Sequence, residues 1–131
     1  MNNSEVASGL LTGKSWDSVC KWLKNSGIDI NNSRTYGNSS NSEPPANVDG
    51  HGNKQVTGYS EYWKVKNIYD LAGNAWEWTN ETYSSNRVVR GGDYDDDGSL
   101  NPVSFRYSFA ASVAYISGRV RVQLYFKKKE I

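Results

Sequence analysis

Asn67-Ile-Tyr-Asp-Leu-Ala-Gly-Asn-Ala-Trp-Glu-Trp-Thr79, followed by Arg87-Val-Val-Arg-Gly-Gly92, is the stretch whose reading decides the fold. Gly73 and the pair Gly91-Gly92 permit tight backbone that side chains would obstruct. Trp76 and Trp78 stand two apart, so in an extended segment they share one side and pack as a slab. The carboxylates of Asp70 and Glu77 are placed to take up loop amides that would otherwise go unsatisfied. Arg87–Gly92 reads as a short strand closed by glycines.

Outward from this motif the chain changes character several times. Toward the N-terminus, Val6, Leu10 and Leu11 suit a short edge strand. Gly13 to Gly27 then reads as a helix. Trp16, Val19, Cys20 and Leu23 fall at i, i+3, i+4 and i+7 on one face, Thr12 or Ser15 caps the start, and Gly27 closes the end. Residues 29–60 concentrate Asn, Ser, Gly and Pro without any apolar period, which predicts a long irregular excursion. Toward the C-terminus, residues 93–117 alternate polar and aromatic stretches with no helix or strand period. Arg119-Val-Arg-Val-Gln-Leu-Tyr-Phe126 alternates strictly and predicts a half-buried strand with Val120, Val122, Leu124 and Phe126 facing the core. One helix, a long loop and a closing strand make an α+β fold over residues 1–131, read as one domain.

Composition bounds the function. Fifteen basic residues against fourteen acidic give a formal charge of +1. That balance argues against a nucleic-acid or membrane-surface partner recruited by bulk charge. No apolar run is long enough to span a bilayer, and no secretory h-region follows Met1. Cys20 is the single cysteine and His51 the single histidine. No internal disulfide or Cys-x-x-Cys zinc site can form, and no nucleophilic triad or phosphate loop is present. Cys20, on the core face of the helix, reads as a structural thiol. Fourteen Asn, 17 Ser, 12 Gly and 9 Tyr beside 5 Trp suit both an adaptable binding surface and a loop-rich β protein.

The motif resembles the hallmark of the formylglycine-generating-enzyme-like (sulfatase-modifying factor) branch of the C-type lectin fold. Members read approximately N-x-Y-D-(L/M)-x-G-N-x-W-E-W-T, then R-V-x-R-G-G, then an Arg-containing last strand. The match is close over 67–92 and looser over 119–126, where many relatives have Gly-Phe-Arg in place of Arg119-Val120-Arg121. Trp16 and Asp17 fit the family's early part. The enzymes of this branch oxidise a cysteine of sulfatases through paired, copper-binding cysteines. With one cysteine, this chain is expected to lack that activity.

The chain is most similar to a second group, the variable proteins of diversity-generating retroelements. These use the fold as a display scaffold whose C-terminal stretch is mutated at adenines. The resemblance implies a variable region of about residues 90–121. Its expected ligand-binding positions are Asp93, Tyr94, Asp95, Asp96, Asp97, Leu100, Val103, Phe105, Tyr107, Phe109, Ala110, Val113, Ala114, Tyr115 and Ile116. The aromatic rings would give rigid contact area, and the aspartates a preference for basic groups. The implied partner is a protein or other macromolecule, with a virion tail or cell surface as the setting. A catalytically inactive relative of the enzyme, or a structural subunit of a tail or surface assembly, is the alternative.

No cofactor is required by this reading, but calcium has to be weighed. The run Asp93-x-Asp95-x-Asp97-Gly98 begins like an EF-hand loop, yet its twelfth position is Ser104 rather than a bidentate Glu. The enzyme relatives carry a calcium site around the tryptophan motif. Here it would use the side chains of Asp70 and Glu77 with the carbonyls of Gly73 and Ala75, and the alternative is a purely hydrogen-bonded loop. Glu43-Pro44-Pro45 echoes the Glu-Pro-Asn of sugar-binding lectins only faintly, and the accompanying Trp-Asn-Asp is missing.

Overall fold

A computed structural model describes residues 5–113 and 118–127. Among these residues are one α-helix, a short 3-10 turn at Glu61–Trp63 and several strands. Strand β1 (Glu5–Leu10) leads into helix α1 (Gly13–Asn25). The short strands β2 (Lys64–Val65) and β3 (Ile68–Tyr69) pair with each other. Next come β4 (Glu77–Tyr83), β5 (Asn86–Arg90) and β6 (Arg106–Ala110). The last described strands are β7 (Arg119–Val120) and β8 (Val122–Lys127). A four-stranded sheet has the order β6-β5-β4-β7, antiparallel except for the parallel β4/β7 contact, and β1 and β8 form a separate antiparallel ribbon.

The helix forms as its sequence demands. Thr12 caps it, accepting the Ser15 amide hydrogen at 3.0 Å, and Gly27 follows with φ of 84°. Trp16, Cys20 and Leu23 are buried against Tyr36, Val65, Leu71, Ala72 and Val103, with Val19 packed on the rim. Arg90 docks the helix onto the sheet. Its side chain is 2% exposed, pairs with Asp17 at 2.7 Å and Glu81 at 3.1 Å, and lies over the Trp16 ring.

The long Asn- and Ser-rich stretch is irregular, as expected, but much of it is not solvated. Ser33, Asn38, Ser39 and Ser42 are buried. Asn38 and Asn74 hold the excursion to the tryptophan motif. The Asn74 amide donates to the Asn38 carbonyl at 2.8 Å, and the Asn74 side chain exchanges hydrogen bonds with the Gln55 backbone at 2.8 and 2.9 Å. Buried amides and hydroxyls thereby supplement the few apolar contacts that this segment makes, such as those of Tyr36 and Ala46. Gly73 permits the approach: at φ of 71°, a Cβ there would stand 2.0 Å from the Asn38 carbonyl oxygen. Gly91 is equally constrained, with φ of 94° and the Leu71 carbonyl 2.7 Å from where a Cβ would be.

Two expectations are corrected. The stretch 93–117 is not irregular throughout, because β6 forms within it and extends the sheet. The last strand is interrupted at Arg121, and its alternation is inverted. Val120, Val122 and Leu124 are 58%, 59% and 69% exposed, while Arg119, Arg121 and Gln123 turn inward. Gln123 accepts a hydrogen bond from the Ser15 hydroxyl at 2.9 Å, and both arginines bind Glu77. Polar partners waiting on the inner side outweigh the transfer of small aliphatic groups. The side chain of Phe126 lies outside the described residues.

Candidate functional site

An aromatic strip on the sheet's outer face gathers the candidate residues that the structure brings together. Tyr107 and Phe109 project from one face of β6, opposite Val89 and Arg87 of β5 in the register. Phe105 precedes the strand. The ring centroids of Phe105 and Tyr107 are 6.5 Å apart and nearly parallel, and those of Tyr107 and Phe109 are 4.9 Å apart and edge-on. Beneath them are the two tryptophans of the motif. Trp76 lies 6.2 Å from Phe105 and 6.0 Å from Tyr107, and Trp78 lies 6.1 Å from Phe109. Both tryptophans therefore serve one side, as their spacing predicted. Trp76 is 3% exposed, whereas Trp78 is only half-buried. Tyr107 is 49% exposed, and Phe105 and Phe109 are half-buried.

Two grooves flank the strip. One, of about 340 Å³, is lined by Tyr83, Val88, Arg106, Tyr107 and Ser108. The other, of about 420 Å³, runs between Leu10, Trp78, Asn80, Arg87 and Val120.

The first half of the expected binding stretch behaves differently. Val103 is fully buried in the core, and its carbonyl accepts the Trp16 indole N–H at 2.8 Å. It is removed from the binding set. Asp93 is 5% exposed, and its carboxylate accepts the Asp95 amide at 3.0 Å. It too belongs to the framework. Asp96 accepts the Asp93 amide at 2.9 Å, and burial pushes its carboxyl up to about 6. Asp97 accepts from the Ser99 hydroxyl and from the Ser99 and Leu100 amides, which hold its carboxyl down at about 2. The loop is tied to the Asn-rich stretch by Ser33 and Ser40 amides donating to the Gly98 and Asp96 carbonyls. Asp95, Leu100, Ala110 and Val113 are exposed and Tyr94 is half-buried, while Ala114, Tyr115 and Ile116 lie outside the described residues.

The Asp96 environment predicts a pH effect. A carboxyl raised above its ordinary value in the folded state binds more protons there than in the unfolded chain between about pH 4 and pH 6. Its contribution is fully present below that window and is lost as pH rises through about 6. Asp96→Asn should flatten the difference in stability between pH 4 and pH 7. Denaturant melts at the two pH values, wild type against variant, check this, and an unchanged difference would refute it.

Asp70 and Glu77 do not fit a calcium ion. Glu77 is 1% exposed and already holds two cations. Arg121 grips both its oxygens, Nε to Oε2 at 2.8 Å and Nη2 to Oε1 at 2.7 Å, and Arg119 adds a contact at 2.9 Å. Asp70 accepts the Gly58 amide at 2.9 Å on one oxygen, while the other is buried without a hydrogen-bond partner, and burial raises its carboxyl. A calcium ion at Glu77 would have to displace two guanidinium groups. Among the described residues, no group of three or more His, Cys, Asp or Glu side chains could hold a metal. A chelator should therefore leave the Tm unchanged, and a drop on adding EDTA, reversed by calcium, would contradict that expectation. The copper of the enzyme relatives fits no better. Cys20 has no second cysteine to join it, is buried, and has its thiol raised by that burial.

Sequence reasoning missed the arginine clamps. It placed Arg90 and Arg119–Arg121 at the two ends of the variable stretch but assigned them no acids. Glu81 also binds Arg106, so one carboxylate joins β4 to both neighbouring elements of the strip. The available signal was a set of arginines inside otherwise apolar strands, which requires buried acids nearby.

The comparisons with known proteins agree with this architecture. No match was found among functionally curated proteins. A solved structure, Treponema denticola variable protein 1, superposes with a TM-score of 0.59 at 20% sequence identity, covering 88% of this chain and 46% of that one. The likeness is one of fold, and this chain spans about half the length of that protein. The sulfatase-modifying factor enzyme 1-like domain family matches over residues 11–122, which include the helix, the tryptophan motif, both arginine clamps and the aromatic strip. By that match the chain belongs to the sulfatase-modifying factor enzyme 1-like domain family.

Proposed function

We propose that this chain is a non-enzymatic display protein, the diversified variable protein of a diversity-generating retroelement, built on a C-type lectin-like scaffold. It binds a macromolecular partner, on a cell surface or from a virion tail, through the strip Phe105-Tyr107-Phe109, together with Asp95 and Tyr94. The observation that carries the reading is the layering of this strip. Exposed and half-exposed rings lie on an edge strand, and the family's own tryptophans form their bed. Rigid rings on a rigid floor supply contact area at little entropic cost, which is what an exchangeable binding surface needs. The fold likeness to a protein named a variable protein supports the same reading.

The electrostatic part of the expectation changes. Of the four aspartates expected to attract basic groups, Asp93 is buried and Asp96 and Asp97 cap their own loop. Asp95 alone of the four is left exposed. Recognition therefore rests on the rings.

Sequencing the surrounding DNA tests the proposal. An adenine-rich second copy of the region encoding residues 90–121 should lie beside a reverse-transcriptase gene. Its differences from the coding copy should fall on Asp95, Phe105, Tyr107 and Phe109 and spare Asp93, Gly98 and Val103. A locus without such a copy would overturn the proposal.

A further inference from the structure

Among the described residues, every arginine but one is held by an acid. Arg34 pairs with Glu43, Arg90 with Asp17 and Glu81, Arg106 with Glu81, and Arg119 and Arg121 with Glu77. Arg87 is exposed and forms no ion pair with a described residue. The acids of the neighbouring strand β4, Glu77 and Glu81, are already taken by the other arginines. Arg87 lies on β5 directly opposite Phe109 of the aromatic strip, and it lines the groove of about 420 Å³ beside Trp78. Leu10 and Val120 add apolar wall to that groove. Of its two remaining residues, Thr79 has its hydroxyl committed to the Val88 carbonyl at 3.1 Å. Asn80 is exposed, and its carboxamide bonds nothing among the described residues. The groove therefore offers apolar walls, one unpaired cation and one open amide.

We propose that Arg87 is an anion anchor beside the strip, and that the partner presents to it an Asp or Glu carboxylate next to a bulky apolar side chain that fills the groove. The inference rests on the reading of this sheet face as the binding surface and adds the chemistry of what it binds. Charge complementarity carries it. Arg87 is the groove's single ionisable side chain, and the guanidinium fork matches a carboxylate with two parallel hydrogen bonds. The walls decide which anion. A phosphodiester chain calls for several cations along its length, and the groove has one. An acidic sugar would leave hydroxyls against Leu10, Trp78 and Val120 without partners. A protein segment supplies both a carboxylate and a hydrocarbon body. The sign is opposite to the preference for basic groups expected from the aspartates.

The anchor is also fixed in place. Leu10, Trp78, Thr79, Asn80 and Arg87 all precede residues 90–121, the stretch in which exchange is proposed, and only Val120 falls within it. The framework thus asks the same carboxylate of every partner, while positions 105, 107 and 109 set the shape beside it.

Two short peptides, acetyl-Phe-Ser-Glu-amide and acetyl-Phe-Ser-Gln-amide, test the proposal on the intact chain. Their ring and end group stand two residues apart, so an extended peptide turns both to one side. The Trp78 indole N–H and Arg87 Nε–H signals in NMR spectra report binding. The Glu peptide should move both signals and bind about fivefold more tightly than the Gln peptide at low salt, with the preference shrinking at high salt. Arg87→Gln should abolish the preference with an unchanged circular dichroism spectrum. If that variant unfolds, the comparison of the two peptides on the wild-type chain decides alone. Equal binding of the two peptides, no binding of either, or a preference that survives Arg87→Gln overturns the proposal. Tighter binding of phenyl phosphate or of N-acetylneuraminic acid than of the Glu peptide overturns it as well, handing the groove to a phosphorylated or a sugar ligand. None of these results touches the display reading, which the surrounding DNA tests separately.

Discussion

Glu77→Ala should destabilise the fold by about 3 kcal/mol and lower the Tm by about 10 °C. Glu77 is a buried acid gripped by two arginines. It is 1% exposed, and its two oxygens receive Arg119 of β7 and Arg121, which lies between β7 and β8. The net value of such a cluster is small, since desolvation of the charges offsets much of their attraction. Its removal is a different matter. Without Glu77, two guanidinium groups remain in a site that has lost its only bidentate acceptor, and such single-sided deletions typically cost about 3–5 kcal/mol. Their side chains are 18% and 29% exposed, so water recovers part of the loss and the lower end of that range applies. The effect should also be local. Amide exchange should accelerate first in β7 and β8, whose attachment to β4 depends on this clamp. A Glu77→Ala protein melting within two or three degrees of wild type would show that the clamp is ornamental.

Trp16→Ala should be at least as damaging, at about 3–5 kcal/mol. The ring is 1% exposed and joins three parts of the chain. Its indole N–H reaches the Val103 carbonyl at 2.8 Å, its face lies under the Arg90 guanidinium at 5.7 Å, and Gly91 closes over its edge. Truncation opens a cavity, leaves the Val103 carbonyl dependent on the distant Cys20 thiol, and removes the floor from a buried charge. Trp22 provides the control. It is on the same helix but 47% exposed, so Trp22→Ala should change stability by no more than about 0.5 kcal/mol. Thermal melts of the two variants side by side decide the matter, and equal losses would refute the packing account.

What could be read from the sequence follows the range of the forces involved. Helix α1 was legible because capping by Thr12, the apolar spacing and Gly27 are all local. So was the bed of the aromatic strip, because Trp76 and Trp78 are tied by period two and the glycines beside them admit few conformations. The ribbon was half legible. Alternation in 119–126 shows which residues share a face but not which face turns inward. That was decided by Glu77 and Ser15, far away in sequence. The loop 93–103 was misread for a related reason. Asp93, Asp96 and Asp97 look like a charged surface until the backbone amides they cap are known, and Val103 looks like an exposed apolar residue until Trp16 and Ser33 are seen beside it. The Asn-rich excursion supplies Ser33 among these partners, and its own order comes from Asn38 and Asn74 rather than from any period in its residues.

Within the proposed binding stretch, residues 105, 107 and 109 should be exchangeable, and 93, 98 and 103 should not. Saturation mutagenesis of these six positions, scored by resistance of the displayed protein to protease, measures that division directly. Most substitutions at Phe105, Tyr107 and Phe109 should leave a protease-resistant fold, since these rings lie above the buried layer and their loss resembles a surface change. Polar or bulky substitutions at Val103, and any side chain at Gly98, whose Cβ would meet the Ser39 hydroxyl at 2.8 Å, should leave the chain cleaved. Asp93 should tolerate little beyond Asn. If instead Phe105, Tyr107 and Phe109 prove as intolerant as Val103, those rings are core and the chain has no exchangeable face.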